Sequence, residues 1–393
     1  MKRFKLLVSL YLLTIVALFA YSFTQVDLSL TLSKVSIYQV LEKYLQYIGF
    51  FQRPLSTLIY VFILTVLIVF YLKFLRLALK KQLEIKHIRR IIIVTAVILA
   101  FSYNAFSYDL FNYIFDAKII THYHLIPYFH SALDFPNDPM LSFMRWTHRL
   151  YPYGPSWLIL TVPLSFIGMN YFLPTFFLFK FLAAFSFLGS CYLVYKISGK
   201  IFPENKLLNL VFFAFNPLVI IESLVSAHND IPMIFFILLS IYLFIQKKKI
   251  LSWVSNIFSI GVKFSTGVVF PLFVILEFFD KTKRKINWEK FFITAFILSL
   301  STVLLATIRT TFQPWYLVFP LSLAAFVPKK FYIFIPSLIA TIFALSVYIP
   351  YVYMTDYAKG YPQAVQIIEA IGLLAIVIFL SLYFLRLKFF SKR

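Results

Sequence analysis

The sequence predicts an all-α polytopic membrane protein, one domain over 1–393 with about 11–13 transmembrane helices. Three observations carry that expectation. The chain is 61% hydrophobic and 13% charged, with a mean hydropathy of +0.86, more apolar residue than a soluble core needs. Its apolar runs reach the roughly 20 residues that a helix needs to cross a bilayer. Its lysines and arginines sit in short clusters between those runs, as the positive-inside rule expects of cytoplasmic loops.

The first run, at about 4–23, follows Lys2, Arg3 and Lys5. It is long enough to span and lacks a small-residue cleavage site, so it reads as an uncleaved first helix. Residues 35–45 carry apolar side chains at helical spacing and read as an interfacial helix before a second span at about 55–79. Lys73, Arg76, Lys80, Lys81, Lys86, Arg89 and Arg90 form the strongest positive cluster and mark a cytoplasmic loop. A third run, about 91–106, returns the chain to the outside.

Apolar runs follow at 157–169, 171–195 and 207–225, then one that ends at Ile245. The first is short and contains Pro163, so the number of crossings over 155–225 stays open. Residues 250–279 lie between two basic clusters and are too few for two spans, which favours a re-entrant pair broken near Gly261-Val-Lys263. Spans at about 291–309, 331–349 and 367–385 complete the chain, with both termini expected in the cytoplasm of a cell bounded by this plasma membrane.

One stretch does not fit this apolar pattern. Ser107 to Pro155 is polar and holds Asp109, Asp116, Asp134 and Asp138, with His122, His124, His130 and His148 among the chain's 6 histidines. A loop this long at a membrane surface is more often functional than connective, and it reads as an extracytoplasmic active-site loop. Asp109 follows the third span, with Asn112, Tyr113 and Asp116 at helical spacing beyond it. Its carboxylate suits general-base work on a hydroxyl, or alternatively an N-cap, for which Ser107 and Asp109 are both good residues.

A second external turn is Ala227-His-Asn-Asp230, before Ile231-Pro232. Asp230 there either caps the next helix or accepts from a sugar hydroxyl, while His228 and Asn229 can donate to phosphate or sugar. Glu222 lies about two turns earlier, and an acid at membrane depth is a functional candidate by default. Lys263 either snorkels from its apolar run or pairs with a carboxylate or a lipid phosphate. Arg145, His148 and Arg149 offer cations near the polar loop. Trp315, in Gln313-Pro-Trp-Tyr316, belongs either to an aromatic membrane belt or to a ligand contact.

Several functions are excluded. The net charge of +22 is spread over inter-helix clusters with no soluble basic domain, which argues against nucleic acid. The single cysteine, Cys191, removes disulfides and cysteine-ligated metals. His122 and His124 are two apart, a spacing that suits neither one helix face nor a zinc motif, so no cofactor is expected and a divalent cation is not indicated. No glycine-rich phosphate loop points to nucleotide binding.

Four segments, in order, resemble the polyprenyl-phosphate-mannose-dependent α-(1→6)-mannosyltransferases of the GT-C glycosyltransferase superfamily. They are Tyr108-Asp-Leu-Phe-Asn-Tyr113 with Pro127-Tyr128 and Tyr153-Gly-Pro155; Asn216-Pro-Leu-Val-Ile-Ile-Glu222 through Ala227-His-Asn-Asp230; Val262-Lys263 leading to Pro271; and Gln313-Pro-Trp-Tyr-Leu317. The resemblance implies a GT-C-like helical bundle and a catalytic base in an early external loop, which maps onto Asp109. It implies a polyprenyl-phosphate sugar donor, a glycan or glycolipid acceptor, and inverting transfer at the outer face of the bilayer. It implies that the external turn with His228 and Asp230 contributes to the donor phosphate or sugar site; by position and chemistry Asp116, Arg145, His148, Arg149, Tyr153, Glu222, Asn229, Lys263 and Trp315 are also expected around donor and substrate. Where the family's pattern has an arginine after the acidic motif, this chain has Lys118. The competing class is a flippase or transporter of lipid-linked glycans, for which internal repeats and midplane charges are expected; the acids here cluster at one external face.

Overall fold

The structure is a computed structural model that describes residues 2–356 and 358–390. It is helical throughout, with no strand among the described residues. Among the described residues six helical stretches are long and apolar enough to cross a membrane: Arg3–Gln25, Arg53–Leu79, Phe172–Ile201, Trp288–Arg309, Phe331–Met354 and Tyr361–Lys388. A bent pair, Pro203–Ala214 with Pro217–Val225, passes the same test as one span. Pro155–Ile167, Asp230–Ile245, Lys249–Val262 and Pro314–Ala324 are apolar but shorter. Counting these too reaches only the lower end of the expected 11–13, because several runs that read as full spans are partial helices.

The helix read as a third span starts earlier than its apolar run. It covers Ile85–Ala100, taking in the basic residues Lys86, Arg89 and Arg90, and stops before Tyr103. The interfacial stretch forms the helix Ser36–Gln46, with Ile37, Val40 and Leu41 exposed on one side. The break expected near Gly261-Val-Lys263 is present: Lys249–Val262 ends at Lys263, which is extended, and a 3-10 segment Phe264–Val269 follows.

Two compact units divide the chain. The first comprises 1–52, 84–193 and 220–267. In it Tyr11, Ile15 and Leu18 of the first helix are buried, as are Phe111, Phe115, Phe176, Phe187, Ile234 and Ile237. Helices Asp230–Ile245 and Lys249–Val262 form a hairpin closed by serines, whose small side chains let helix backbones approach. Ser240 Oγ donates to the Ser252 carbonyl at 2.7 Å, and Ser252 Oγ donates back to the Ser240 carbonyl at 2.8 Å. Nearer the hairpin's open end Ser259 Oγ donates to the Met233 carbonyl at 2.8 Å, which sets Lys263 opposite Asp230.

The second unit comprises 53–83, 194–219 and 268–393. Phenol and amide groups tie its helices together. Tyr60 Oη donates to the Leu345 carbonyl at 2.8 Å, Tyr71 Oη to the Phe212 carbonyl at 3.1 Å, and Asn216 Nδ2 to Thr341 Oγ1 at 3.0 Å. Its long helices leave Leu58, Phe62, Ile308 and Leu373 exposed, the apolar surface a lipid-facing helix presents.

Candidate active site

The site is assembled within the first unit, where two helices begin on aspartates. Asp109 is the first residue of helix Asp109–Thr121, and Asp230 the first of helix Asp230–Ile245. Neither helix has a side-chain hydrogen bond from its N-cap residue, Tyr108 or Asn229. The capping alternative is therefore not realised by either carboxylate. Ser107 Oγ accepts the Asp109 backbone N–H at 3.1 Å instead, and Asp230 Oδ2 receives the Lys263 ammonium at 2.7 Å. Lys263 pairs rather than snorkels.

Behind Asp109 lies the His228 turn. Helix is replaced over Ile221–Val225 by a π-turn, a local widening that recurs at functional sites. Ala227 then adopts φ +56°, a conformation that costs a non-glycine residue of order 1–3 kcal/mol. The result points His228 back at the first aspartate. Its Nδ1 lies 3.0 Å from Glu222 Oε2, its Nε2 lies 3.0 Å from Ser107 Oγ, and Asp109 Oδ2 is 3.8 Å from the same Nε2. Glu222 and His228 side chains are each 1% exposed, whereas Asp109 is 17% exposed, so Asp109 is the member that faces the open side.

A buried cation holds the π-turn. Lys180, from helix Phe172–Ile201, is 1% exposed. Its Nζ donates to the carbonyls of Leu224 and of Val225, the latter at 2.7 Å, and to Ser102 Oγ at 3.0 Å. Carbonyls at the end of a helical turn are the negative end of its dipole, which a cation satisfies. Sequence reasoning passed over Lys180, although a lysine within an apolar run was the signal that drew attention to Lys263.

Aromatic residues line the helix that carries Asp109. Tyr113 packs edge-on against Tyr153 at 5.5 Å and Trp157 at 5.3 Å, and its Oη donates to Asn229 Oδ1 at 3.4 Å. Burial first, and then the negative charge of Asp109, pushes the Tyr153 phenol well above its ordinary range. The Tyr153-Gly-Pro155 motif has a steric reason: a Cβ on Gly154 would stand 2.4 Å from the Gly261 carbonyl oxygen. Only a glycine permits the start of helix Pro155–Ile167 to meet the end of helix Lys249–Val262 that closely.

Asp116 is partly buried on the same helix, and loss of water, followed by the charge of Asp109, pushes its pKa up to about 8. Arg145 reaches the site from the loop, its guanidinium 4.5 Å from the ring centre of Tyr108, whose Oη donates to Asp27 Oδ2 at 2.9 Å. His148 and Arg149 are exposed, and Arg149 stacks over Trp146 at 4.3 Å. Lys118 donates to Asp138 Oδ2 at 2.5 Å and Tyr123 Oη donates to the same oxygen at 2.7 Å. Burial works against the Asp138 charge, but these bonds outweigh it and hold the carboxyl below its usual range. Lys118 is thus a brace for the loop. Trp315 lies in the 3-10 segment Pro314–Leu317 of the second unit, packed edge-on against Tyr316 at 5.9 Å. No group of three metal-binding side chains occurs among the described residues.

The fold and this site define a multi-pass helical membrane protein whose polar centre is built from carboxylates at helix starts and on a π-turn, a histidine and cations. The profile of the family described as alpha-(1->6)-mannopyranosyltransferase, N-terminal domain, matches residues 14–278. The chain belongs to that family, and is a mannosyltransferase in its class of activity. The match contains three of the four resembling segments and ends before Gln313. No curated protein and no solved structure is detectably similar to the chain.

Proposed function

We propose that the protein transfers mannose from a polyprenyl-phosphate donor to a lipid-linked or cell-envelope glycan on the extracytoplasmic face, with Asp109 as general base. The observation that carries this reading is the state of Asp109. It starts a helix, is the solvent-facing member of its cluster, and is spared from capping by Ser107.

In the proposed step the acceptor O–H gives its proton to the Asp109 carboxylate while its oxygen lone pair bonds to the anomeric carbon. The bond from that carbon to the phosphate oxygen breaks, and its electron pair leaves on the polyprenyl phosphate. One displacement inverts the anomeric centre, so a β-linked donor gives an α-linked product. The leaving group is already a good one, and acid catalysis is not required. Arg145 and Lys263 supply positive charge for the departing phosphate, with His148 and Arg149 at the loop surface, the preorganised electrostatic help such a step uses. Tyr153 presents an aromatic face to a sugar and Asp116 carries oxygens for its hydroxyls, while the buried Tyr113 packs behind Tyr153 and the buried Asp230 holds Lys263.

The test supplies purified protein with radiolabelled synthetic polyprenyl-phosphate mannose and membrane glycolipid. Wild type is expected to move label to the glycolipid and to ignore a nucleotide sugar. Asp109→Asn, which keeps shape and cannot take a proton, is expected to lower turnover about 10²-fold or more with little change in donor KM. Near-normal turnover in Asp109→Asn rules out the base assignment, and label transfer from the nucleotide sugar alone rules out the donor class.

A further inference from the structure

Glu222 and His228 belong to the segment expected to touch donor or sugar, but their burial does not suit that task. A side chain 1% exposed makes few contacts with a substrate entering from the open side, and both are in that state. What they do contact is the support of Asp109. We infer that Glu222 and His228 are positioning residues that act on the reaction through Ser107 and Asp109, an inference that rests on Asp109 being the base.

The chain of contacts has a direction. Glu222 Oε2 stands 3.0 Å from Nδ1 as a charge contact rather than a hydrogen bond, and its negative charge favours the imidazole tautomer with its proton on Nδ1. Nε2 is then an acceptor, and the Ser107 hydroxyl 3.0 Å away donates to it. With its own proton committed, Ser107 Oγ turns its lone pairs to the Asp109 backbone N–H at 3.1 Å. That bond satisfies the first amide of helix Asp109–Thr121, one of the four a helix start leaves unpaired. The Asp109 side chain is thereby released from the capping role its position invites and stays available to an acceptor hydroxyl. Glu222 sets the tautomer, His228 sets the serine rotamer, and the serine sets the aspartate.

Two further features hold the source of this chain in place. Lys180 clamps the carbonyls of Leu224 and Val225, at the end of the π-turn that carries Glu222. The left-handed Ala227 then turns the next residue, His228, back toward Glu222, whose carbonyl also accepts the His228 backbone N–H at 3.1 Å. Strained backbone of this kind persists only where the surroundings over-determine it.

The experiment compares kcat and donor KM for Glu222→Gln, His228→Gln, Ser107→Ala, Ser107→Thr and Asp109→Asn, and for the first three each combined with Asp109→Asn. Glu222→Gln, His228→Gln and Ser107→Ala are expected to lower kcat about 10- to 100-fold, the usual scale for losing a group that orients a functional one, with donor KM nearly unchanged. Ser107→Thr keeps the hydroxyl and is expected to recover most of the loss. On an Asp109→Asn background none of the three is expected to lower turnover further, because residues acting as one unit are not additive. Losses that multiply with that of Asp109→Asn, or a rise in donor KM at constant kcat, overturn the positioning role and make these side chains ligands of the donor. Normal kcat in Ser107→Ala overturns it as well, whether or not the Glu222 and His228 variants fold. A normal Asp109→Asn enzyme removes the base reading itself, a different result from an inactive Asp109→Asn beside an unaffected Glu222→Gln.

Discussion

Asp116 stands two helical turns beyond Asp109, and the two carboxylates do not share a task. Its pKa of about 8, against an ordinary 3.8, follows from burial and from the neighbouring negative charge. Below about pH 4 this carboxyl is protonated in the folded and the unfolded chain alike, and it costs the fold nothing. As pH rises the unfolded chain gives up the proton while the fold retains it, so stability falls steadily until about pH 8. Asp116→Asn should therefore melt like wild type near pH 4 and at a higher temperature near pH 8, read by thermal unfolding in detergent. Identical melting at both pH values would contradict the burial account. Asp109 and His228 were legible in the sequence because a carboxylate at a span end and a polar turn in an apolar chain are each conspicuous. Their partnership was not, since 121 residues separate Ser107 from His228 and only the π-turn directs the imidazole back.

Elements meet at contacts that a single atom can block. The crossing of Gly154 and Gly261 leaves no room for a Cβ, with the Gly261 carbonyl oxygen 2.4 Å from its place. Gly154→Ala is expected to push helix Pro155–Ile167 off helix Lys249–Val262, lowering turnover at least about tenfold while the protein still extracts as a monodisperse peak; an active alanine variant would show that the crossing is loose. The polar loop has its own brace. Asp138→Asn weakens the bonds to Lys118 and Tyr123 and should make the segment around 122–150 cut faster in limited proteolysis, with unchanged cutting as the contrary result. Lys180→Met presents a sharper choice. The exchange relieves the cost of burying an ammonium group but leaves two buried carbonyls without their donor, so some loss of stability is expected. The π-turn carbonyls lose their donor, so turnover should fall further than melting temperature; equal loss of both would make Lys180 a purely structural residue. The sequence located the helix break at Lys263 because Gly261 and the lysine interrupt an apolar run. It did not disclose the glycine crossing, which depends on two helices more than a hundred residues apart.

At the scale of the molecule, charge distribution carries the topology. The 37 basic residues outnumber 15 acidic ones and gather in clusters between the apolar runs, and the proposed topology puts those clusters on the cytoplasmic side. Single cysteines placed at the exposed positions Asn137, Gln82 and Lys283 test this, since the native Cys191 is buried and silent. Asn137 is expected to react with an impermeant maleimide in intact cells, and Gln82 and Lys283 only after permeabilisation. Labelling of Asn137 and Gln82 from one side would overturn the extracytoplasmic placement proposed for the polar loop. The all-helical, multi-pass class was legible from hydropathy alone. The count of spans was not, because Pro155–Ile167 and Lys249–Val262 have the composition of a span without its length.

The buried lysine also bears on how the chain is made. Helix Phe172–Ile201 leaves the ribosome before the residues that satisfy Lys180, since Leu224 and Val225 lie 44 and 45 positions later. At synthesis rates of about 5–20 residues per second, that interval lasts a few seconds. During it an ammonium group at membrane depth, worth roughly 2.5–3.5 kcal/mol against insertion, has among the described residues only Ser102 from the chain already made. The helix is thus poorly committed to the bilayer until its successor arrives, and the insertion machinery must hold both together. A single cysteine placed in helix Phe172–Ile201 would stay reactive toward an aqueous maleimide in a nascent chain arrested before residue 224, and would be protected in one arrested well past it.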